Sequence, residues 1–414
     1  MLTLSILTIG DEICIGQIVN TNAAWIAEQC TRIGCKISIH STIGDDIHII
    51  INELKRLLSQ SDAVVITGGL GPTHDDVTKA ALCEYFNDNL VLHQPTADYL
   101  NSMYARRGQT VSERNSTQAL LPSKATILPN SRGTAPGMWF EENNKVVVSL
   151  PGVPREMKGL MEEYALQRLS ERAAETEGVQ LFKTLLTTGI TEANLADLIG
   201  EPTEFLNGGS LAFLPSYQGV RLRIGVSAES KSDAQSEQSR IEQYIRSKAQ
   251  KFIFGENDQT LASVVAGLLV EKKHTVSVAE SCTGGMLGAA LTDIVGSSAY
   301  FEGGVQVYSY SAKENLLGVR RETLTKYGAV SKETVEEMAV NVRSKFGTSY
   351  GISISGIAGP GGGLPEKPVG TVWIGLADEH GVFAQKFVFG NERIINRERS
   401  VGCALEMLYR TLKK

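Results

Sequence analysis

LSILTIG at 4–10, NTNAAWIAEQCTRIG at 20–34, CKISIHSTIG at 35–44, DDIHIIINELKRLLSQ at 45–60, DAVVITGG at 62–69 and DDVTKAALCEYF at 75–86 decide the fold of the first part of this chain. The first, third and fifth stretches hold short apolar runs of strand length, and each is followed by a longer stretch with helical character. The order is β-α-β-α-β-α, and such alternation predicts a parallel sheet with helices on both faces. Asn20 and Thr21 are suited to cap the first helix and Gly34 to end it. The same unit continues through PGMWFEENNKVVVSLPGVPREM at 136–157, with a strand expected over 145–150 and a helix opening near Pro154. We place the close of this domain near residue 170.

A smaller α+β segment follows. LFKTLLTTG (181–189) and GVRLRIGVSA (219–228) read as strands and EANLADLIG (192–200) as a helix. A polar run, ESKSDAQSEQS (229–239), leads into a helix over RIEQYIRSKAQKF (240–252). GENDQT (255–260) is a turn-rich junction, after which LASVVAGLLVEKK (261–273) restarts the helical pattern. A further α/β domain is expected there, with strands in HTVSVAE (274–280), GGVQVYSY (303–310), YGISISG (350–356) and GTVWIGLAD (370–378). The resulting domains are 1–170, 171–254 and 255–414, in keeping with a chain of 414 residues, too long for one ordinary core.

Bulk properties narrow the function class. With 42% apolar and 21% charged residues the chain is ordinary globular protein. Its net charge of -6 gives no overall electrostatic reason to hold a polyanion. The opening MLTLSILTIGDE has no basic flank and meets Asp11 and Glu12 after one short apolar run, so it reads as a first strand rather than a signal peptide. No run reaches the roughly 18 apolar residues of a membrane span. Cys14, Cys30, Cys35, Cys83, Cys282 and Cys403 show no CxxC and no paired spacing, which argues against a zinc site or a disulfide framework. A cytoplasmic location is expected, with no membrane association.

In open α/β sheets ligands bind beyond the carboxyl ends of the strands, so residues just after each strand carry most weight. In the first domain those positions repeat a theme: Asp11 and Glu12, then Asp45 and Asp46, then GGLGPTHDD at 68–76 ending in Asp75 and Asp76. Acidic residues near helix starts also complement the macrodipole without any ligand, a reading that stays open for Asp45 and Asp46. The loop with Gly68, Gly69 and Gly71 is different, because glycines let backbone N–H groups approach a phosphate. Hard oxygen donors without a Cys or His cluster favour Mg, Mn or Co over zinc. His74 is the only imidazole in the loop, and a solvent-facing position is expected for it.

GDEICIGQIVNTN (10–22), GGLGPTHDDVT (68–78), ERNSTQALLP (113–122), NSRGTAPGMW (130–139) and LPGVPREM (150–157) resemble the N-terminal domain of the CinA family, itself similar to the molybdopterin-binding MoaB and MogA fold. The resemblance implies a doubly wound sheet and a divalent-metal-dependent ADP-ribose pyrophosphatase. It places the substrate pattern on Glu12, Asn20, Asn22, Gly69 and Thr73 and the metal on Asp75 and Asp76. Pterin binding without hydrolysis is the alternative. Residues 174–252 are similar to the family's KH-like middle domain. KH modules clamp nucleotides with a GXXG loop, whereas here Gly208 and Gly209 are adjacent. The helix at 240–252 balances Arg240, Arg246, Lys248 and Lys251 against Glu242. A competence-related nucleic-acid factor, which the family name suggests, is therefore not expected, and a linking or dimerising role is.

In the last domain, Ser281 sits where HTVSVAE runs into SCTGG and then MLGAALTDIVG, a strand-to-helix switch. Serine there can be a nucleophile or simply a helix cap. Histidine is scarce, with His274 at a strand start and His380 in a turn, so a Ser-His-Asp triad is not expected. Ser-Lys pairs are another solution, provided that burial or a neighbouring cation lowers the lysine pKa. Lys313 follows a strand, with Tyr308 five residues earlier and Ser355 ahead of a glycine-rich turn.

AESCTGG (279–285), GSSAYFEGGVQVYSYSAK (296–313), GAVS (328–331), SGIAGPGGG (355–363) and KPVGTVW (367–373) are similar to the family's C-terminal domain and to its stand-alone relative, a nicotinamide mononucleotide (NMN) amidohydrolase. The resemblance implies Ser281 as nucleophile, Tyr308 and Lys313 as its activating partners, Ser355 as a pocket hydroxyl and Arg393 as a binding cation, with Arg397 and Arg399 as rival alignments in GNERIINRERS. Ser281 would attack the carboxamide and Lys313 would relay the proton to ammonia, with no cofactor. Backbone amides at Thr283, Gly284 and Gly285 are candidates for an oxyanion hole or for the substrate phosphate. Cys282 is expected to be a buried filler. The partners expected are the small nucleotides NMN and ADP-ribose, with the chain a homodimer.

Overall fold

The computed structural model describes residues 1–176, 178–216 and 219–414. These residues form two compact units, one of 1–182 with 225–239 and one of 183–224 with 240–414.

In the first unit the strands are β1 (Thr3–Ile9), β2 (Lys36–Ile43), β3 (Ala63–Thr67), a short ribbon of β4 (Leu90–Leu92) and β5 (Leu120–Pro122), then β6 (Thr126–Leu128), β7 (Gly137–Glu142) and β8 (Lys145–Leu150). The main sheet has the order β2-β1-β3-β8-β7-β6. Every residue of β3, AVVIT, is buried, as a strand covered on both faces requires. Successive residues of β1 serve opposite faces. Leu4 and Ile6 pack with Ile26 and Cys30 of the helix Thr21–Arg32, and Leu7 and Ile9 pack with Ile50, Leu54 and Leu57 of the helix Ile47–Gln60. Asn20 caps the first of these helices, accepting from Ala23 N at 3.0 Å.

The sheet is doubly wound as expected but not wholly parallel. β1, β2, β3 and β8 run parallel, whereas β7 is antiparallel to both β8 and β6. The cause is local. Asn143 and Asn144 both have positive φ, 52° and 61°, a two-residue turn that joins β7 to β8 as a hairpin and leaves no room for a crossover helix.

The middle segment contributes β9 (Val179–Thr187), β10 (Ser210–Ser216), β11 (Gly219–Ala228) and β12 (Ile253–Glu256), in the sheet order β10-β11-β9-β12. β10 and β12 add to the strands expected from the sequence. The polar run expected to lead into a helix is itself helical from Lys231, in one helix reaching Ala249.

The C-terminal sheet holds β13 (Val276–Glu280), β14 (Phe301–Gln306), β15 (Tyr350–Gly356), β16 (Thr371–Ala377) and β17 (Val382–Val388), ordered β14-β13-β15-β16-β17. The first three are parallel, and β16 and β17 return antiparallel. One face packs Val278, Ile352 and Ile374 against Leu261, Val265 and Leu269 of the helix Leu261–Lys272 and against Leu405 and Leu408 of the helix Arg393–Leu412. The other face carries small residues under the helix Lys332–Phe346, where Ser277 Oγ donates to Val342 O at 3.1 Å and Ser353 Oγ to Val335 O at 2.5 Å. The strand expected through Tyr310 stops at Gln306, because Ser309 caps a new helix, Tyr310–Leu317, accepting from Ala312 N at 3.1 Å. Among the described residues no helix is long and apolar enough to cross a membrane.

Candidate functional site

Two strands of the C-terminal sheet end at one level, and a third runs on beside them. Glu280 pairs with Gln306 of β14 and with Ile354 of β15, so Ser281 and Val307 leave the sheet side by side, next to Ser355, which stays in β15 paired with Trp373 of β16. Ser281 N donates to Ile354 O at 3.0 Å and Val307 N to Glu280 O at 2.8 Å, which fixes the chain just where it turns. The helix Tyr310–Leu317 then drops Lys313 into the gap. Its Nζ donates to Ser281 Oγ at 3.1 Å, to Val307 O at 2.6 Å and to Tyr308 O at 3.1 Å. Lys313 is fully buried, and burial pulls its pKa from 10.5 down to about 8. A hydroxyl beside a lysine whose pKa is lowered can serve as a nucleophile with its base.

The other expected residues fall into place unevenly. Tyr308 meets Lys313 through its backbone carbonyl, while its ring is 71% exposed. Ser355 is buried, with its hydroxyl donating to Ala329 O at 2.7 Å. Cys282 is buried and its thiol is pushed up to about 11, foremost by burial. Neither His274, whose Nδ1 is 3.2 Å from the Tyr350 hydroxyl, nor the exposed His380 is a hydrogen-bond partner of Ser281.

The amides after Ser281 differ from expectation. Glu280, buried at the end of β13, accepts from Gly285 N at 3.0 Å, Leu287 N at 3.0 Å and Gly288 N at 2.8 Å. The amino end of the helix Met286–Thr292 is thus closed by the protein's own carboxylate. Gly285 N–H is therefore not open to an oxyanion or a phosphate. Gly285 itself is required by φ of +98° and by Gln306 Nε2, which would lie 2.5 Å from a Cβ. Thr283 and Gly284 form the turn; the Thr283 hydroxyl is buried without a partner. Sequence reasoning misses Glu280, although a carboxylate five residues before an amide-rich helix start is a capping signal.

The three arginines separate by contact. Arg393 Nη1 donates to Gly359 O at 2.9 Å, and Arg397 Nη2 donates to Thr283 O at 2.7 Å. The Arg399 guanidinium lies 5.9 Å from the centre of the Phe389 ring.

A second site opens in the first unit at the carboxyl ends of β1, β2, β3 and β8, where the chain order reverses between β1 and β3. This cleft, of about 460 Å³, is lined among others by Glu12, Asn20, Asn22, Gly69, Asp75 and Asp76, and also by Asp45 and Glu156. Gly68 has φ of +114° and passes so close to Ile9 O that no side chain fits. Asn20 Nδ2 donates to Thr8 Oγ1 at 2.9 Å. Asn22 Nδ2 donates to Thr67 Oγ1 at 3.2 Å and Gly152 O at 2.7 Å, and its buried Oδ1 has no partner in the chain.

The acidic pairs play different parts. Asp46 caps the helix Ile47–Gln60, accepting from Ile49 N at 2.9 Å, and Asp45 accepts from Asp11 N at 2.9 Å. Asp76 accepts from Gly71 N and Thr73 N, each at 2.8 Å, and from the Thr73 hydroxyl, so both its oxygens hold the glycine loop. Asp75 is exposed. His74 faces solvent, as expected. Among the described residues no group of three or more His, Cys, Asp or Glu is arranged to hold a metal by itself. The donor set nevertheless fits a hard cation shared with a phosphate. Burial foremost, and then the negative charges of Asp11, Glu12 and Asp75, raise the Asp45 carboxyl, so the cleft concentrates negative charge that a cation relieves. Magnesium-like ions need only one or two carboxylates when substrate phosphates complete the shell.

Comparison with known proteins gives three family matches in series: the probable molybdopterin binding domain over residues 5–171, the damage-inducible protein CinA KH domain over 182–255 and the CinA C-terminal domain over 258–412. A "CinA-like protein" of Cytophaga hutchinsonii is 41% identical over 410 residues, covering 99% of this chain and 98% of that protein. Another of Gemmatimonas aurantiaca is 41% identical over 413 residues, covering 99% of this chain and 96% of that protein. A "Putative competence-damage inducible protein" of Clostridium acetobutylicum is 37% identical over 407 residues, covering 98% of each.

Proposed function

The chain belongs to the CinA family, and from that premise we propose that it is a bifunctional nucleotide hydrolase, deamidating NMN in the C-terminal domain and cleaving the pyrophosphate of ADP-ribose in the N-terminal cleft. The observation that carries the first activity is the buried Lys313, with its pKa near 8 and its Nζ 3.1 Å from Ser281 Oγ.

At the C-terminal site, neutral Lys313 takes the proton of the Ser281 hydroxyl as Oγ bonds to the carboxamide carbon. Collapse of the tetrahedral adduct breaks the C–N bond, and Lys313 passes its proton to the leaving nitrogen, which departs as ammonia. Water then adds to the ester and gives its proton to Lys313. Cleavage of the C–Oγ bond releases nicotinate mononucleotide and returns the proton to Ser281. Val307 O and Tyr308 O keep Nζ oriented through both steps.

At the N-terminal site, the exposed Asp75, with Asp45 beside it, would hold a divalent cation, Mg, Mn or Co, and Asp76 supports the glycine loop. Such a cation, when bound, neutralises charge on the diphosphate. Asn22 and the Gly69 turn line the same cleft and suit a polar sugar or phosphate. The description of the matching family, a probable molybdopterin binding domain, favours a second reading of this cleft, pterin binding without hydrolysis.

The test is direct. Purified protein is incubated with NMN and, separately, with ADP-ribose plus each cation, and the products are identified. Ammonia with nicotinate mononucleotide, and AMP with ribose 5-phosphate, are expected. Pterin binding with no ADP-ribose turnover would favour the second reading.

A further inference from the structure

Three residues before Lys313, one turn ahead of it on the helix Tyr310–Leu317, stands Tyr310, which the reaction outlined above does not use. Its ring is half exposed, and its hydroxyl accepts from Ala329 N at 3.2 Å. The carbonyl of the same residue is taken as well: Ala329 O accepts from Ser355 Oγ at 2.7 Å. Ser355 is the buried residue after Ile354, whose carbonyl receives the Ser281 N–H. A closed circuit results. Ser281 is tied to β15, β15 to Ala329 and Ala329 to Tyr310, and one turn on from Tyr310 the Nζ of Lys313 returns to Ser281.

The segment between the two hydroxyls is itself held. Gly328 O accepts from Ser331 Oγ at 3.0 Å and from Thr334 Oγ1 at 2.8 Å, at the start of the helix Lys332–Phe346, and Lys367 Nζ donates to Tyr327 O at 2.8 Å. Ala329 is therefore a fixed post. The helix Tyr310–Leu317 is short, and Leu317, at its carboxyl end, packs with Val319, Leu324 and Met338. Toward the amino end, nearer to Lys313, the Tyr310 hydroxyl ties the helix to that post. A small displacement of a catalytic base costs rate without costing substrate affinity.

We propose that Tyr310 is a positioning residue: with Ser355 it clamps Ala329 and so holds the helix that carries Lys313 within hydrogen-bonding distance of Ser281. This rests on the deamidase reading above and gives Ser355, which the sequence resemblance made a pocket hydroxyl, a bracing role instead.

The experiment uses the full chain. Tyr310→Phe keeps the ring and removes only the hydroxyl at a half-exposed position, so the melting curve should stay close to that of the wild type. Its kcat for NMN should fall about fivefold, in the range for one lost hydrogen bond, with KM within about twofold. The rising limb of its pH profile should move upward by about half a pH unit, because a looser helix lets water reach Nζ and lessens the effect of burial. Ser355→Ala should lose kcat at unchanged KM, and combining it with Tyr310→Phe should cost little more, since changes at the two ends of one clamp are not additive. A wild-type kcat and pH limb in Tyr310→Phe would overturn the proposal, as would a Ser355→Ala enzyme whose KM rises at unchanged kcat, which would mark that hydroxyl as a substrate contact. A wild-type chain that frees no ammonia from NMN would instead overturn the deamidase reading. The clamp is then judged by hydrogen exchange at Lys313 N, bonded to Ser309 O at 3.1 Å: faster exchange in Tyr310→Phe upholds it, and unchanged exchange removes it as well.

Discussion

Lys313 and Ser281 lie 32 residues apart in sequence and meet through a 3.1 Å hydrogen bond from Nζ to Oγ. All three ammonium protons have acceptors, in Ser281, Val307 and Tyr308, yet the side chain is fully buried. The hydrogen bonds favour the charged form and burial opposes it, and burial prevails, bringing the pKa to about 8. Once a proton is lost, the hydrogen bond to Ser281 can reverse, with the hydroxyl donating and the amine accepting.

The first prediction is a pH profile. The base is the neutral amine, whose fraction grows as pH rises toward 8, so kcat/KM for NMN should climb close to tenfold per unit below about pH 7.5 and level off above about pH 8.5. The folded value lies below the ordinary 10.5, so this lysine opposes folding fully below about pH 8, and that opposition fades between about pH 8 and 10.5. Initial rates across pH 6 to 9.5 check the first statement. A rate that falls with pH through this window is incompatible with a lysine base.

The neighbouring thiol should be a bystander. Burial pushes Cys282 up to about 11, so very little thiolate exists at neutral pH. Cys282→Ala should keep ammonia release within about threefold, and iodoacetamide should inactivate slowly. Rapid inactivation with the label mapped to Cys282 would count against this assignment.

Glu280 is expected to matter without touching substrate. Glu280→Ala strips an acceptor from three amides at once, and a destabilisation of about 3 kcal/mol is expected for the C-terminal domain. Hydrogen exchange at 283–288 should accelerate, and kcat for NMN should fall more than KM rises, because the turn carrying Ser281 loosens. Unchanged exchange in that segment would show that the amides find other partners.

In the N-terminal cleft the two carboxylates of the glycine loop should separate. Asp75→Asn removes charge from an exposed side chain and should abolish cation-dependent ADP-ribose cleavage with the melting curve unaltered. Asp76→Ala also removes the acceptor of Gly71 N and Thr73 N, and should lower stability as well. Neither change should alter ammonia release from NMN. Loss of both activities in a folded Asp75→Asn protein would contradict two separate sites.

The sequence displays a strand covered on both faces well where it is a short apolar run, as in AVVIT, every residue of which is buried. Two edge strands do not stand out: β17, VFAQKFV, is largely exposed and β12 has four residues. The helix Lys231–Ala249 opens in a polar run whose first turns bury little, so no apolar period announces it. Ser281 and Lys313 can be named because motif and chemistry agree on them. The direction of the Tyr308 ring cannot, since spacing does not tell which side of a strand end a side chain takes. Arg397 meets Thr283 across 114 residues, a contact that only the packing of the last helix creates.

The central claim is that Ser281 and Lys313 act as one nucleophile–base unit, and steady-state kcat for NMN in Ser281→Ala, Lys313→Ala and the double variant tests it most directly. The account predicts a loss of at least about 10³-fold for each single change and no further loss when they are combined, since residues acting as a unit are not additive. A Ser281→Ala enzyme that still turns over near the wild-type rate, or single losses that multiply in the double variant, would contradict it.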